Sequence, residues 1–297
     1  MGKEIYDAFA CARQAFMEAD EAAGFPLGEL CFRGPDDALK LTQNTQPAIL
    51  AVSIAVLRVL QDRGLQPDYV AGHSLGEYSA LVCSGCLSLW DAVRAVRKRG
   101  KYMQEAVPLD RGAMAAVLGL DADSVREACE AASSAGIVAP ANFNAPDQTV
   151  ISGEAAAVLR ASEIAREKGA KRILPLPVSA PFHCDLMAPA RDRLAADLNN
   201  LEFRDLTVPL ISNVDAVAVV SGRVARDSLI RQVCNPVRWV ESIRYLVDRE
   251  VDRFVEVGPG RVLCGLVKKI APEVQVYSVD GIRGIEALAS AGSGATM

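Results

Sequence analysis

Histidine is scarce in this chain: 297 residues carry two, His73 and His183. Chemistry that needs an imidazole therefore has only two candidates. Aromatic residues make up 5% of the chain, and lysine plus arginine do not outnumber the acids, leaving a net charge of -5. Without a basic field there is no electrostatic case for nucleic acid, and no such partner is expected. Long apolar runs are also missing. The longest, Ala48 to Leu57, is closed by Arg58 and falls well short of the ~20 residues a membrane-crossing helix needs, so no membrane partner is expected. The N-terminus is acidic from Glu4 and shows no signal-type apolar stretch, from which a cytoplasmic location is expected.

What is present is the composition of an ordinary globular protein, 51% hydrophobic and 23% charged. The length allows one large or two moderate domains. Eight cysteines, at positions 11, 31, 83, 86, 129, 184, 234 and 264, are scattered through apolar surroundings. Buried free thiols are the expectation. Cys83 and Cys86 form a C-x-x-C pair, but no second pair stands at zinc spacing. No metal or redox role follows.

Along the chain, helical and strand-like segments alternate. Residues 3 to 23 read as one amphipathic helix, and 45 to 62 as a long apolar helix with Pro47 near its first turn. A strand at 68 to 71 precedes a helix at 75 to 84. Ser88, with Asp91 three residues on, is set to cap a helix over 89 to 106. Strands of this length between such helices predict a parallel sheet covered on both faces. The middle differs. Strand-like 112 to 118, helical 121 to 133, strand-like 138 to 142 and 148 to 152, helical 154 to 168 and strand-like 172 to 177 give the order β-α-β-β-α-β of a ferredoxin-like unit. The expected fold class is α/β: a parallel-sheet, α/β-hydrolase-like large domain, residues 1–111 and 181–297, with a ferredoxin-like small domain inserted at 112–180. After the insertion come a helix at 185 to 200, a strand at 208 to 211, helices at 225 to 233 and 236 to 249, and a strand at 253 to 257. The small, polar tail from Ala289 is expected to fray.

The most informative segment is Gly72-His73-Ser74-Leu75-Gly76. It lies between the strand ending at Ala71 and the helix that follows. A serine on a sharp strand-to-helix turn, with glycines two residues to either side giving room, is a nucleophile elbow. Its oxygen would project at a helix N-terminus, where N–H groups favour developing negative charge. Serine needs a base. Side chains alternate along an extended strand, so His73 should point away from the chemistry, leaving His183 as the base. His183 falls where the inserted segment rejoins the large domain, a natural cleft. Because 114 residues follow it, the fold is not an ordinary α/β-hydrolase, whose histidine comes late. A backbone carbonyl can orient the imidazole in place of a carboxylate.

Arg99 lies three residues after Val96, four before Met103 and seven after Ala92, on one helix face with them. Lys98 and Arg94 point elsewhere. A guanidinium at the edge of an apolar face wants a carboxylate, which its planar fork binds through two hydrogen bonds. Read alone, the cluster from Arg94 to Lys101 fits a solvated basic face better.

Taken together these segments resemble the malonyl-CoA:acyl carrier protein transacylases of fatty acid synthesis. The resemblance runs over nearly the whole chain. It includes Thr45 to Ala48, Gly72 to Glu77, Arg99-Gly100, Met103 to Ala106, Asn142 to Gln148, His183, Asn213 to Asp215, Gln232, Asn235 to Val237, and Glu256 to Gly260. It implies Ser74 as nucleophile and His183 as base, with His183 oriented by a backbone carbonyl at Gln232. It further implies that Arg99 binds the malonyl carboxylate, that Leu75 N–H is an oxyanion donor, and that Gln46, Asn144 and Phe182 line the substrate site, Phe182 closing the acyl pocket against a branched methylmalonyl group. Malonyl-CoA and acyl carrier protein are the implied partners. No cofactor or metal is implied, and a monomer is expected.

The family opens with a strand and a Gly-Gln-Gly-Ser-Gln motif that supplies a second oxyanion donor. This sequence starts at the helix that follows, so the working protein is expected to begin upstream. Two alternatives stand beside the transacylase: a serine thioesterase or esterase, which would not need Arg99, and a carrier-protein-binding subunit impaired by the absent oxyanion motif.

Overall fold

The computed structural model describes residues 1–108, 110–178 and 180–292. Its architecture is mixed α/β. The amphipathic segment expected as one N-terminal helix is two, Lys3–Ala8 and Ala10–Ala23. Phe9 between them is extended, with φ -124° and ψ 131°. The break seats Ile5 and Phe16 in one core and sets the Phe9 ring under the Arg63 guanidinium at 5.4 Å.

The helix Thr42–Asp62 begins before the expected residue 45, so Pro47 stands deeper than its first turn. Thirteen of its residues are buried, from Gln46 to Leu60. Apolar on all sides, it is the central helix of the core. Against it packs the helix Leu89–Glu105, capped as expected: Asp91 N donates to Ser88 Oγ at 3.0 Å. The two helices touch through Gly100. A Cβ there would lie 2.5 Å from Thr42 O and 2.7 Å from Gln43 Cα. That close approach brings Gln46 beside Arg99.

Among the described residues the strands form three small sheets rather than one broad parallel sheet. β1 (Val70–Ala71) is short. β2 (Gly112–Leu118), β3 (Val138–Ala145), β4 (Gln148–Glu154) and β5 (Arg172–Pro175) form an antiparallel sheet in the order β3-β4-β2-β5. The helices Ala122–Ala131 and Ala155–Glu167 pack on it around their own apolar cluster. β6 (Leu210–Ile211) runs parallel to β1 and antiparallel to β7 (Ala218–Val219). β8 (Arg253–Val257) pairs in parallel with β9 (Gln275–Val279). A parallel bridge between Asn142 and Val237 ties β3 to the segment before the helix Trp239–Val247.

Other boundaries moved by a few residues. The segment at 185 to 200 splits into a 3₁₀ turn, Asp185–Met187, and the helix Ala188–Leu198. The helix expected at 225 to 233 spans Gly222–Gln232. Of the thiols, Cys31, Cys86, Cys129 and Cys184 are buried as expected, whereas Cys11, Cys83, Cys234 and Cys264 are half-buried. Part of the tail expected to fray is helical, within Ile282–Gly292; its last residues, like Ser179, lie outside the described residues. Among the described residues no helix is long and apolar enough to cross a membrane.

The contact at Gly100 yields a test. Gly100→Ala must push backbone against backbone and should cost about 1–3 kcal/mol of stability, read as a shift in urea midpoint. Gly265→Ala, in a helix with open space around it, should be neutral or stabilise by up to about 1 kcal/mol.

Candidate active site

Chain direction reverses sharply between β1 and the helix Gly76–Cys83. Ser74, on that turn, has φ 50°, a left-handed conformation that costs a non-glycine residue ~1 kcal/mol or more. The two flanking glycines are not equivalent. A Cβ on Gly72 would lie 2.0 Å from the carbonyl carbon and oxygen of Gly76, whereas a Cβ on Gly76 would meet open space. Only Gly72 makes the room the sequence pattern suggested for both.

A clamp holds the turn. Asn213, just past β6, accepts from Ser74 N through Oδ1 at 2.7 Å and donates from Nδ2 to Gly72 O at 2.7 Å. It bridges both arms of the elbow as a neighbouring strand's peptide group would. The sequence pattern assigns Asn213 no role; its position just past a strand that pairs with the elbow strand is the available signal.

Ser74 Oγ lies 2.8 Å from His183 Nε2. The other ring nitrogen, Nδ1, is 2.8 Å from the main-chain oxygen of Gln232. A carbonyl only accepts, so Nδ1 carries the proton and Nε2 keeps the lone pair that faces the serine. His183 is buried at 3% exposure and itself has φ 61°. Burial, and then the Arg99 charge, push its pKa down to about 3, so it is neutral at physiological pH. His73 turns elsewhere, as expected: its Nε2 is 2.8 Å from Asn144 Oδ1, and its ring is 5.6 Å from that of Trp239.

Arg99 is buried at 2% exposure, with Ala92, Val96 and Met103 buried on the same face. Its Nη2 donates to Ser74 Oγ and to Gln232 Oε1, each at 3.0 Å, and Nη1 donates to Gln46 Oε1 at 2.7 Å. Among the described residues its Nε has no partner, and its hydrogen-bond acceptors are all neutral. A buried guanidinium so arranged can take a carboxylate.

Gln46 and the Gln232 side chain thus stand beside Arg99. Leu75 N–H has no hydrogen-bond partner among the described residues, and Phe182 packs half-buried against the main core. Asn144 stands apart from the residues around Ser74 Oγ, because its carbonyl is engaged by His73. Glu77, one turn after the serine, is fully buried. It accepts from Gln232 Nε2 at 2.6 Å, and burial raises its pKa to about 7. A cleft of about 420 Å³ opens beside His183, lined by Ile137, Val138 and Pro140 on one side and Cys184, Cys234 and Pro236 on the other.

The acyl transferase domain family matches residues 1–285. The malonyl CoA-acyl carrier protein transacylase of Bacillus subtilis (strain 168) is 48% identical over 287 residues, covering 96% of this chain and 90% of that protein. The solved acyl carrier protein S-malonyltransferase of Vibrio cholerae is 45% identical with a TM-score of 0.95, covering 97% of this chain and 94% of that one. A malonyl-transacylase solved in complex with its type II PKS acyl-carrier protein is 45% identical with a TM-score of 0.95, covering 98% and 94%.

The site sets a pH dependence of stability. Between pH 6.5 and about 3 the unfolded chain protonates His183 while the folded protein does not. The unfolded state then binds more protons, so this contribution to stability falls as pH drops below 6.5. Glu77 acts oppositely: its pKa is raised from 4.5 to about 7, so its contribution falls as pH rises through that window. Urea midpoints of wild type and His183→Gln at pH 6.5, 5.5 and 4.5 isolate the histidine. The wild type should lose stability more steeply, by up to about 1.4 kcal/mol per pH unit.

Proposed function

This chain belongs to the acyl transferase domain family, with the malonyl-CoA:acyl carrier protein transacylases, and we propose that Ser74, His183 and Arg99 carry its reaction. It moves a malonyl group from malonyl-CoA to the phosphopantetheine thiol of acyl carrier protein through a seryl ester. The observation that carries the assignment of residues is the double contact at Ser74 Oγ, with His183 Nε2 at 2.8 Å and Arg99 Nη2 at 3.0 Å.

The steps follow from that geometry. Ser74 gives its proton to His183 Nε2 as Oγ attacks the thioester carbonyl. Gln232 O stabilises the imidazolium through Nδ1–H, and Leu75 N–H donates to the developing oxyanion. Collapse expels the coenzyme A thiolate, which takes the proton from His183. The carrier's thiol then enters, loses its proton to His183, and attacks the seryl ester; Oγ leaves and is reprotonated. Thioester is exchanged for thioester, so the residues present suffice. Arg99 holds the far carboxylate of the malonyl group and so fixes the ester carbonyl against Oγ. Before substrate binds, the same guanidinium donates to Oγ and favours its ionised form. Gln46 orients Arg99, and Phe182 closes the acyl pocket, while Asn144 acts only through His73. A hydrolase would have no use for a buried guanidinium at this place.

The proposal includes the domain plan: a large α/β-hydrolase-like domain, residues 1–111 and 181–297, and an inserted ferredoxin-like domain at 112–180. The strand order β3-β4-β2-β5 with two helices and a separate apolar cluster supports the second unit. The cleft beside His183, between these two parts, admits the pantetheine arm. A monomer working in the cytoplasm is part of the same reading.

Competing acylation by malonyl-CoA and acetyl-CoA tests it. Arg99→Ala should reduce malonyl loading about 100-fold through loss of a charge-assisted contact, and reduce acetyl loading, which has no carboxylate to lose, far less, so that the malonyl preference collapses. An unchanged malonyl preference would refute the role of Arg99.

A further inference from the structure

Among the described residues the interior holds one buried carboxyl, Glu77 at 0% exposure, and one buried guanidinium, Arg99 at 2%. Opposite charges in an apolar core ordinarily pair directly, fork to carboxylate. These two do not. Arg99 Nη2 donates to Gln232 Oε1 at 3.0 Å, and Gln232 Nε2 donates to Glu77 Oε2 at 2.6 Å. One amide stands between the charges, its carbonyl toward the cation and its NH₂ toward the anion. That orientation is fixed, because Nε2 also donates to Ser74 O at 2.9 Å and to Asn213 Oδ1 at 3.4 Å, both acceptors. Each charged group keeps an unpartnered atom among the described residues, Nε of Arg99 and Oε1 of Glu77.

The spacing has a physical consequence. An uncompensated buried guanidinium is expensive, while a directly paired one has its fork filled. A carboxylate held one amide away lowers the cost of burying Arg99 and leaves the guanidinium with neutral acceptors only, its Nε unpartnered among the described residues. It also weakens the attraction of Arg99 for a second carboxylate. We propose that Glu77 is a positioning residue, a spaced counter-ion that tunes how tightly Arg99 holds the acyl carboxylate, and that the Gln232 side chain is the spacer that keeps Glu77 off the guanidinium fork. This rests on the reading of Arg99 as the acyl-carboxylate site.

Two variants test it, assayed at pH 8, above the raised pKa of the Glu77 carboxyl. Glu77→Gln preserves an acceptor for the Gln232 amide and removes the charge. It should unfold at lower denaturant than wild type, yet free malonate should inhibit it several-fold more tightly, by about three- to tenfold. A purely structural Glu77 would weaken stability and malonate binding together. Gln232→Ala removes the spacer, letting Glu77 close on Arg99, and should lower the malonyl-to-acetyl acylation ratio by about tenfold or more. Adding Glu77→Gln to Gln232→Ala removes the intruding carboxylate and should restore most of that ratio.

Weaker malonate inhibition in Glu77→Gln, or a double variant no more selective than Gln232→Ala, overturns the proposal. If Gln232→Ala does not fold, Glu77→Gln alone decides by the direction of the malonate effect. Wild-type protein without any malonyl preference would instead sink the assignment of Arg99 itself, so the two failures are distinct.

Discussion

One oxygen organises this molecule. Ser74 Oγ gives its hydrogen bond to His183 Nε2 at 2.8 Å and receives one from Arg99 Nη2 at 3.0 Å. A base on one side and a fixed cation on the other both favour the alkoxide. The backbone at Ser74 and at His183 is left-handed, φ 50° and 61°, so both members of this pair sit where an L-residue is strained. Strain of this kind persists only where the surroundings over-determine it. Here Asn213 pins the elbow on both arms, Gly72 lets the chain pass Gly76, and Gln232 O pins the imidazole.

The second constraint is electrostatic. His183, Arg99 and Glu77 are buried while Ser74 is half-buried, and burial acts on each titratable group with a known sign. It holds His183 neutral, which a base requires. It raises the Glu77 carboxyl and disfavours the charged form of Arg99. The fold keeps both ions by linking them through an amide instead of a contact. Gln232 is therefore the node of the site, serving His183 with its main chain and Arg99, Glu77 and the Ser74 carbonyl with its side chain.

Much of this was legible in the sequence, for reasons that can be named. The elbow is local, so five residues announce it. His183 followed from scarcity, since two histidines left one candidate once strand alternation removed His73. Helical spacing put Arg99 on the face of Ala92, Val96 and Met103, but the basic residues around it argued for a solvated cluster, and only the family resemblance tipped the reading toward a binding site. Other features carry no periodic signal. Asn213 acts on Ser74 across 139 residues and Gln232 on Glu77 across 155, through amide geometry that spacing cannot encode. The N-terminal break fell at Phe9 because tertiary packing overrode a continuous helical pattern. The broad sheet expected from alternation became a short three-stranded sheet and a separate pair, since the apolar runs of β1 and β6 fix the presence of strands but not their extent.

The most direct measurement is the mass of the intact protein after brief exposure to malonyl-CoA, followed by peptide mapping and by addition of a pantetheine thiol or acyl carrier protein. The account predicts one malonyl group, located on Ser74, stable in water over the time of transfer and discharged when the thiol arrives. No adduct, an adduct on another residue, or loss to water as fast as to thiol would contradict it.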